Sequence, residues 1–511
     1  GRMPRDGSAR AARRAARTGG TLAQLDWRRI VNPFAPLPAV DEDGLEAIHD
    51  ASLEILRTVG MDFLHPEAIA VLRAHGADVD DDGPRVRFDP DLVLEWVGKA
   101  PSSFTMRARN PDHDLRIGGR DVVFLSVASA PNVSDLDRGR RPGTFADFED
   151  LVRLGQSFNV VHGFGGYPVE PQDLAPSTRH LRALASFVTL SDKVWHAYSL
   201  GRGRIIDAIE IARIGRGVDL DAFVSEPSIH TIVNTSTPLR LDGPMIEGMI
   251  EMLRHGQVVV ITPFTLAGAM APATVAGALA LQNAEALAGI AFGQMVAPGA
   301  PMVYGGFTSN VDMKTGAPAF GTPEYARAAM VGGQLARRYG LPYRSSNANA
   351  ANAVDAQAAY ESQTSLWAAV FGGANIVMHA AGWMEGGLVA SFEKFVVDVE
   401  MLQTLAETLR PVRVDVDSLG LDAIADVGPG GHFFGTQHTL DRYESAFYAP
   451  LLSDWQNFGS WTESGSVDTE TRANGLWKRV LAEYQPPALD EAVAEELSDF
   501  VARRTAEGGV G

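Results

Sequence analysis

Ala374-Asn375-Ile376-Val377-Met378-His379-Ala380-Ala381-Gly382-Trp383-Met384-Glu385-Gly386-Gly387 decides the fold. A short apolar run ends in His379, then breaks into small residues and glycines that carry an indole and a carboxylate. A buried strand reads this way when its far end opens into a binding loop. Earlier in the chain, seven comparable runs precede it, at Val122–Val127, Val160–Phe164, Lys193–Ser199, Ser228–Asn234, Val258–Thr262, Pro301–Gly305 and Pro342–Ser346. Most are bounded by Gly, Pro, Asn or Ser, as strand ends tend to be.

Between these runs the spacing is helical. Thr144 is placed as an N-cap before Phe145, Phe148, Leu151, Val152 and Leu154. Met245, Ile246, Met249, Ile250 and Leu253 share one face, as do Tyr325, Ala329, Leu335 and Tyr339. Strands alternating with helices imply a parallel sheet with right-handed crossovers. Eight units match a (β/α)8 TIM barrel better than an open doubly wound sheet, and no G-x-G-x-x-G follows any run. The expected class is therefore α/β, with the barrel over residues 111–410. An N-terminal helical layer is expected over 41–110. Its helices carry Leu45, Ile48, Ile55, Leu56 and Val59, then Leu92, Val93, Trp96 and Val97 after Asp89-Pro90. Residues 411–511 are expected to pack on the barrel as an extension ending in a helix from about Leu489 to Arg504.

Composition narrows the function. Of the 511 residues, 45% are hydrophobic and 21% charged, which is ordinary for a globular protein. The net charge of −19 argues against a nucleic-acid partner. There is no cysteine, which excludes disulfides, thiolate metal sites and a cysteine nucleophile. No apolar run approaches the roughly 18 residues that span a membrane, so no membrane partner is expected. Residues 1–17 hold six arginines and one acid without an apolar stretch, so residues 1–40 read as a disordered arm rather than a signal peptide. A cytoplasmic location is expected, and a homo-oligomer is compatible with the size.

A barrel of this kind builds its site at the C-terminal ends of its strands. Those ends carry five aromatic residues, Tyr198, Phe264, Tyr304, Phe307 and Trp383. Aromatic faces attract a quaternary ammonium. Arg344 suits a carboxylate, which it can grip with two parallel hydrogen bonds. Together they suggest a small zwitterion. Each assignment has a structural counterpart. Rings at strand ends often only pack; Arg344 has an alternative partner in Asp355; Glu385 reads equally as a helix cap. His162, His196 and His230 fall inside strands and read as hydrogen-bonded core histidines, whereas His379 is better placed to act. There is no H-E-x-x-H, P-loop or G-x-S-x-G. An acid–base pair of Glu385 and His379 in a lyase or hydrolase stays open, as does a catalytically silent binding barrel.

The runs Asp355-Ala356-Gln357-Ala358-Ala359-Tyr360-Glu361, Gly373-Ala374-Asn375-Ile376 and His379-Ala380-Ala381-Gly382-Trp383-Met384-Glu385-Gly386-Gly387, with Glu393-Lys394-Phe395, Asp398 and Glu400, resemble the trimethylamine methyltransferase family. The likeness extends from near Gly44 to about Trp477. It implies a TIM barrel that moves a methyl group from an amine to Co(I) of a corrinoid on a separate small protein. Trimethylamine enzymes of the family carry pyrrolysine near the end of the seventh strand, at about Ser346–Ala351 here, where only standard residues stand. Members similar in this respect act on betaines, so glycine betaine, proline betaine or carnitine is the expected substrate. By the resemblance, His379 and Glu385 would be catalytic. Arg344, Tyr304, Phe307, Trp383, Tyr198, Asn349, Asp355 and Gln357 would bind substrate, with no metal ligand. No D-x-H-x-x-G is present to supply a corrinoid's lower ligand, so no cofactor is expected to be permanently bound. The corrinoid would arrive on a partner.

Overall fold

The computed structural model describes residues 22–511, so residues 1–21 of the expected arm lie outside the described residues. Residues 22–40 are not an arm. Strand Ile30–Val31 pairs antiparallel with Asp121–Phe124, Ile30 and Asn32 are buried, and Arg28 pairs with Glu407 at 2.8 Å. Apolar and amide side chains among the polar ones anchor this stretch.

One curled sheet forms the centre. Its parallel strands are neighbours in the order Asp121–Phe124, Ile376–Met378, Tyr343–Ser346, Met302–Gly305, Val258–Ala267, Ile229–Thr235 and Trp195–His196. Register pairs Val123 with Ile376, Ser346 with Met378, Gly305 with Arg344, Ile261 with Tyr304, Asn234 with Thr262 and His196 with His230. The expected second strand, Val160–Phe164, makes no ladder. Only single parallel bridges, Leu125 to Gly163 and Gly163 to Val194, join its neighbours. The reason is local: the N–H of Phe124 donates to the His162 ring (Nδ1, 3.0 Å), where a regular ladder would present a carbonyl.

Alternation along the strands sorts the side chains. Val123, Leu125, Val194, Val258, Val260, Val303, Ile376 and Met378 form one small apolar cluster inside the curl. Val259, Ile261, Tyr304 and Tyr343 belong to the large cluster shared with the helices. One long helix follows each strand run, from Phe145–Ser157 to Phe392–Thr408, with a short extra helix at Leu220–Ser225. Thr144 caps the first of them through a reciprocal capping box with Asp147.

The N-terminal layer is mixed rather than helical. Helices Glu42–Thr58, Pro66–Ala74 and Pro90–Val97 are capped by Asp41, His65 and Asp89. They accompany a four-stranded sheet that includes Met61–Phe63 and Arg85–Arg87, and a hairpin of Ser103–Met106 with Leu115–Gly118. Such short strands carry too little periodicity to announce themselves. In the C-terminal residues two helices pack on the body of the protein, whereas 410–451 bury no side chain. Trp477, in Thr469–Glu483, donates to Glu393, and Arg504, in Glu491–Ala506, grips Asp207.

One helix corrects the membrane expectation. Val275–Val296 is long and apolar enough to cross a bilayer by length and composition, yet 83% of its apolar window is buried between strand Val258–Ala267 and the N-terminal layer. Its sequence betrays the core role, because Gln282, Asn283 and Glu285 sit at its middle.

Glu285 ties this helix to the loop after strand Ile229–Thr235. It accepts from Thr235 Oγ1 at 2.9 Å, Thr237 Oγ1 at 2.8 Å and the N–H of Leu239. Burial nevertheless pushes its carboxyl up to about 7 from 4.5. The folded state therefore binds more protons than the unfolded chain between these values, and stability falls as pH rises from 4.5 through 7. Glu285→Gln should flatten this dependence. Urea unfolding at pH 5 and pH 8 checks it; an unchanged pH slope in the variant would sink the assignment.

Candidate functional site

A cavity of about 200 Å³ lies at the C-terminal ends of the strands. Inward-facing positions supply part of its wall: Thr262 and Phe264 from one strand, Arg344 from another and Met378 from a third, with His379 just past the end of the last. Phe264 and Phe307 stack with centroids 5.3 Å apart and 24° between planes. Trp383 stands 6.1 Å from Phe307 and 5.5 Å from His379. Phe320 backs this aromatic wall, 5.5 Å from both Phe307 and Trp383. Across the cavity, Tyr198 packs on His196 at 4.6 Å and shares a 2.8 Å hydrogen bond with Ser129.

Arg344 is the unusual group. It is buried, its guanidinium lies 5.8 Å from the Phe307 centroid, and one nitrogen donates to Ser346 Oγ at 2.8 Å. Its Nε has no partner, and no carboxylate pairs with it among the described residues. Burial lowers the guanidinium to about 10, so it stays cationic at neutral pH. A buried cation without an anion is costly unless a ligand supplies one. The cavity lining contains no Asp or Glu.

His379 sits where the strand breaks, with φ +55, in the left-handed region that costs a non-glycine residue free energy. Its Nδ1 accepts the N–H of Ala128 at 3.3 Å, which assigns the ring proton to Nε2. Burial, and then the Arg344 charge, lower it to about 3. His196 is likewise driven down by burial, with His230, His379 and Arg344 adding. Of the core histidines, His162 is bonded at both nitrogens. His196 lacks a partner at Nδ1 and His230 at both nitrogens, so these two are not satisfied core residues.

The loop from His379 to Trp383 is held from behind. Lys394 and Asp398, one helical turn apart and fully buried, pair at 2.6 Å. Asp398 also accepts from the N–H of Gly382 at 2.9 Å, and Lys394 donates to Ser362 at 2.8 Å. Burial works against both charges, lowering Lys394 and raising Asp398, and each charge opposes that by stabilising the other. Asn349 donates to the Trp383 carbonyl at 2.6 Å, and Asn347 to that of Ala380 at 3.2 Å. Gly382 adopts φ +99, with space behind it closed by Phe395 at 3.0 Å from a would-be Cβ.

Of the expected site residues, Arg344, Phe307, Trp383, Tyr198 and His379 line the cavity together. The others do not. Tyr304 faces the helices and donates to Asn283 at 2.9 Å, because strand parity turns it away from Val303's side. Asn349 supports the Trp383 loop from outside the cavity. Asp355 caps helix Ala356–Phe371, rather than pairing with Arg344, and Gln357 bonds Glu361 at 2.9 Å. Glu385 pairs with Arg140 at 3.1 Å, so it makes no acid–base couple with His379 in the cavity. Ser129 and Met245 carried no motif and were missed; Phe264 was visible only as a strand-end ring.

A curled parallel α/β sheet with an aromatic and cationic cavity at its strand ends defines a small-molecule enzyme architecture. The sequence profile of the family described as Trimethylamine methyltransferase (MTTB) matches residues 6–509, and the chain belongs to that family. It is 38% identical over 469 residues to a glycine betaine methyltransferase of Desulfitobacterium hafniense strain Y51, covering 92% of this chain and 97% of that one. It is 27% identical over 477 residues to the trimethylamine methyltransferase MttB of Desulfitobacterium hafniense strain DSM 10664 / DCB-2, covering 93% and 95%. The crystal structure of the Methanosarcina barkeri monomethylamine methyltransferase (MtmB) superposes with a TM-score of 0.51 at 12% identity, covering 98% of this chain and 92% of that one, which shows a shared fold.

Two outcomes follow for the site. Lys394→Met leaves Asp398 buried without its cation and should cost about 3–5 kcal/mol, read by urea denaturation; a loss below ~1 kcal/mol would remove the pair's anchoring role. His379, lowered to about 3 from 6.5, should stay neutral from pH 8 to 5. Since the unfolded chain alone takes up that proton, the residue's contribution to stability falls as pH drops from 6.5 towards 3. Nitrogen chemical shifts of the ring check this; titration near pH 6.5 would contradict it.

Proposed function

We propose that this chain transfers a methyl group from a betaine, glycine betaine or a near relative, to Co(I) of a corrinoid carried by a partner protein. The observation that carries this is the pairing of an anion-less buried Arg344 with an aromatic wall in a cavity lined by no acid. A protonated amine would call for a hydrogen-bond acceptor on its N–H. A quaternary ammonium has no N–H, and π faces hold it by about 0.5–2 kcal/mol per ring. In this reading Arg344 binds the carboxylate, and Phe264, Phe307, Trp383 and Tyr198 surround the trimethylammonium end. The kinship with a glycine betaine methyltransferase supports the same substrate.

The corrinoid supplies a nucleophilic metal centre. Everything else asked of this chain is positioning. The C–N bond breaks with its electron pair remaining on nitrogen and the methyl passing to Co(I), so the departing dimethylamino acid leaves with a neutral amine nitrogen and its carboxylate still charged, and needs no proton. That fits a site whose two lining imidazoles, His379 and His196, are both held neutral by burial. His379 Nε2–H orients the substrate beside Trp383, whose indole screens it from water. Glu385 is assigned a loop-holding role through Arg140. We also infer that the curled sheet closes as a (β/α)8 barrel, with 160–164 as the eighth staff; the two bridges at Gly163 support this. The reaction would run in the cytoplasm, where Co(I) persists.

The test mixes this protein with reduced corrinoid and single methyl donors, and follows the Co(I) absorption band. Loss of the band with glycine betaine, but not with trimethylamine, is the expected result. Arg344→Leu should raise KM for the betaine by roughly 10–100-fold, the range set by losing a charge-assisted contact. A silent band across glycine betaine, proline betaine and carnitine, with the protein still stabilised thermally by one of them, would turn the reading to a binding protein.

A further inference from the structure

Asn234 stands at one end of a row of inward-facing positions. Strand parity sends Ile232 against the apolar cluster inside the curl, and Asn234, two residues on, faces the same way. In register beside it comes Thr262, then Gly305 on the next strand, then Arg344 on the one after. Asn234, Thr262 and Arg344 all line the cavity. The middle of the row is hollow because its residues are small: a Cβ on Gly305 would lie 2.3 Å from Thr262 Oγ1. A carboxamide and a guanidinium are left at the two ends of the gap.

Both ends have hydrogen-bonding capacity to spare. Arg344 Nε has no partner. The Asn234 side chain is exposed, and its carboxamide makes no hydrogen bond among the described residues. Neighbouring groups have spent theirs: the Ser129 and Tyr198 hydroxyls bond each other, and His379 Nδ1 accepts the Ala128 N–H. Asn234 is nevertheless fixed at its base. Thr235, of opposite parity, donates outward to Glu285 in helix Val275–Val296 at 2.9 Å. A free amide on an anchored strand end is pre-organised for a ligand.

We propose that Asn234 determines specificity for the anionic end of the substrate: its Nδ2–H donates to the same carboxylate that Arg344 grips. This rests on the betaine reading above. A carboxamide suits the position because it donates to an anion without adding charge. An acid there would repel the substrate carboxylate and compete with it for Arg344. A second cation would repel the ammonium end. The neutral amide thus lets one cavity hold both charges of a zwitterion.

The test is calorimetric titration of the full-length protein, without corrinoid, against glycine betaine and against tetramethylammonium, which keeps the onium group and lacks the carboxylate. Asn234→Leu should raise the dissociation constant for glycine betaine roughly 10–100-fold, the range of one hydrogen bond to a charged group, and leave that for tetramethylammonium within about threefold. Asn234→Asp should weaken glycine betaine further while tetramethylammonium binds at least as tightly as before. The urea midpoint of both variants should match that of the parent, as expected for an exposed side chain; Asn234→Ser replaces the leucine variant if it does not. Equal weakening of the two ligands, or glycine betaine bound by the variants as by the parent, overturns the proposal and leaves the betaine reading standing. Failure of the unaltered protein to bind glycine betaine, proline betaine or carnitine overturns both.

Discussion

The buried pair Lys394–Asp398 is the constraint on which the cavity depends. The backbone between His379 and Trp383 abandons the strand, bends through left-handed residues and must still present two rings at fixed positions. Nothing in local propensity favours that path. It is imposed from the following helix, by a carboxylate on the Gly382 N–H, and from the preceding loop, by Asn347 and Asn349 on two carbonyls. Desolvating two charges is expensive, and the pair is tolerated because the other carboxylate oxygen meets the Gly382 N–H and the ammonium also meets Ser362. The aromatic wall is thus held in place by hydrogen bonds from behind, to the Gly382 N–H and to the Ala380 and Trp383 carbonyls.

In front of that wall, charge and hydrogen-bonding capacity stand unmet. Arg344 Nε, His196 Nδ1 and Thr262 Oγ1 are buried without partners. A folded protein rarely leaves such groups idle. An anchored loop behind and unmet polar capacity in front is the arrangement that lets a bound ligand gain free energy the empty cavity lacks.

The parallel strand order could be read from the sequence because each strand is buried on both faces and appears as an apolar run. That same property hid side-chain direction. In Pro301–Gly305 both Val303 and Tyr304 are apolar enough to face either way, and parity put the phenol among the helices. Val160–Phe164 looked like its fellows, but a histidine ring took the place of a backbone acceptor. Arg344, Phe307 and Trp383 were legible because a charge or a large ring at a strand end is conspicuous. Ser129 and Met245 were not, since small or flexible residues enter a site only through three-dimensional proximity. The short strands of the N-terminal layer left no periodicity to read.

Helix Val275–Val296 has a consequence for the order in which the chain can assemble. Ser52, in the N-terminal layer, donates to the Ala280 carbonyl across 228 positions, and Asn283 reaches back to Ser52 and on to Tyr339. During synthesis the first helices therefore emerge with their apolar faces unmatched. They wait until more than half the polypeptide has left the ribosome. The helix they await is itself apolar enough to be mistaken for a membrane span, and Glu285 near its centre weighs against that mistake. A carboxylate that tethers a loop in the finished molecule thus also marks a nascent segment as one to be kept in water.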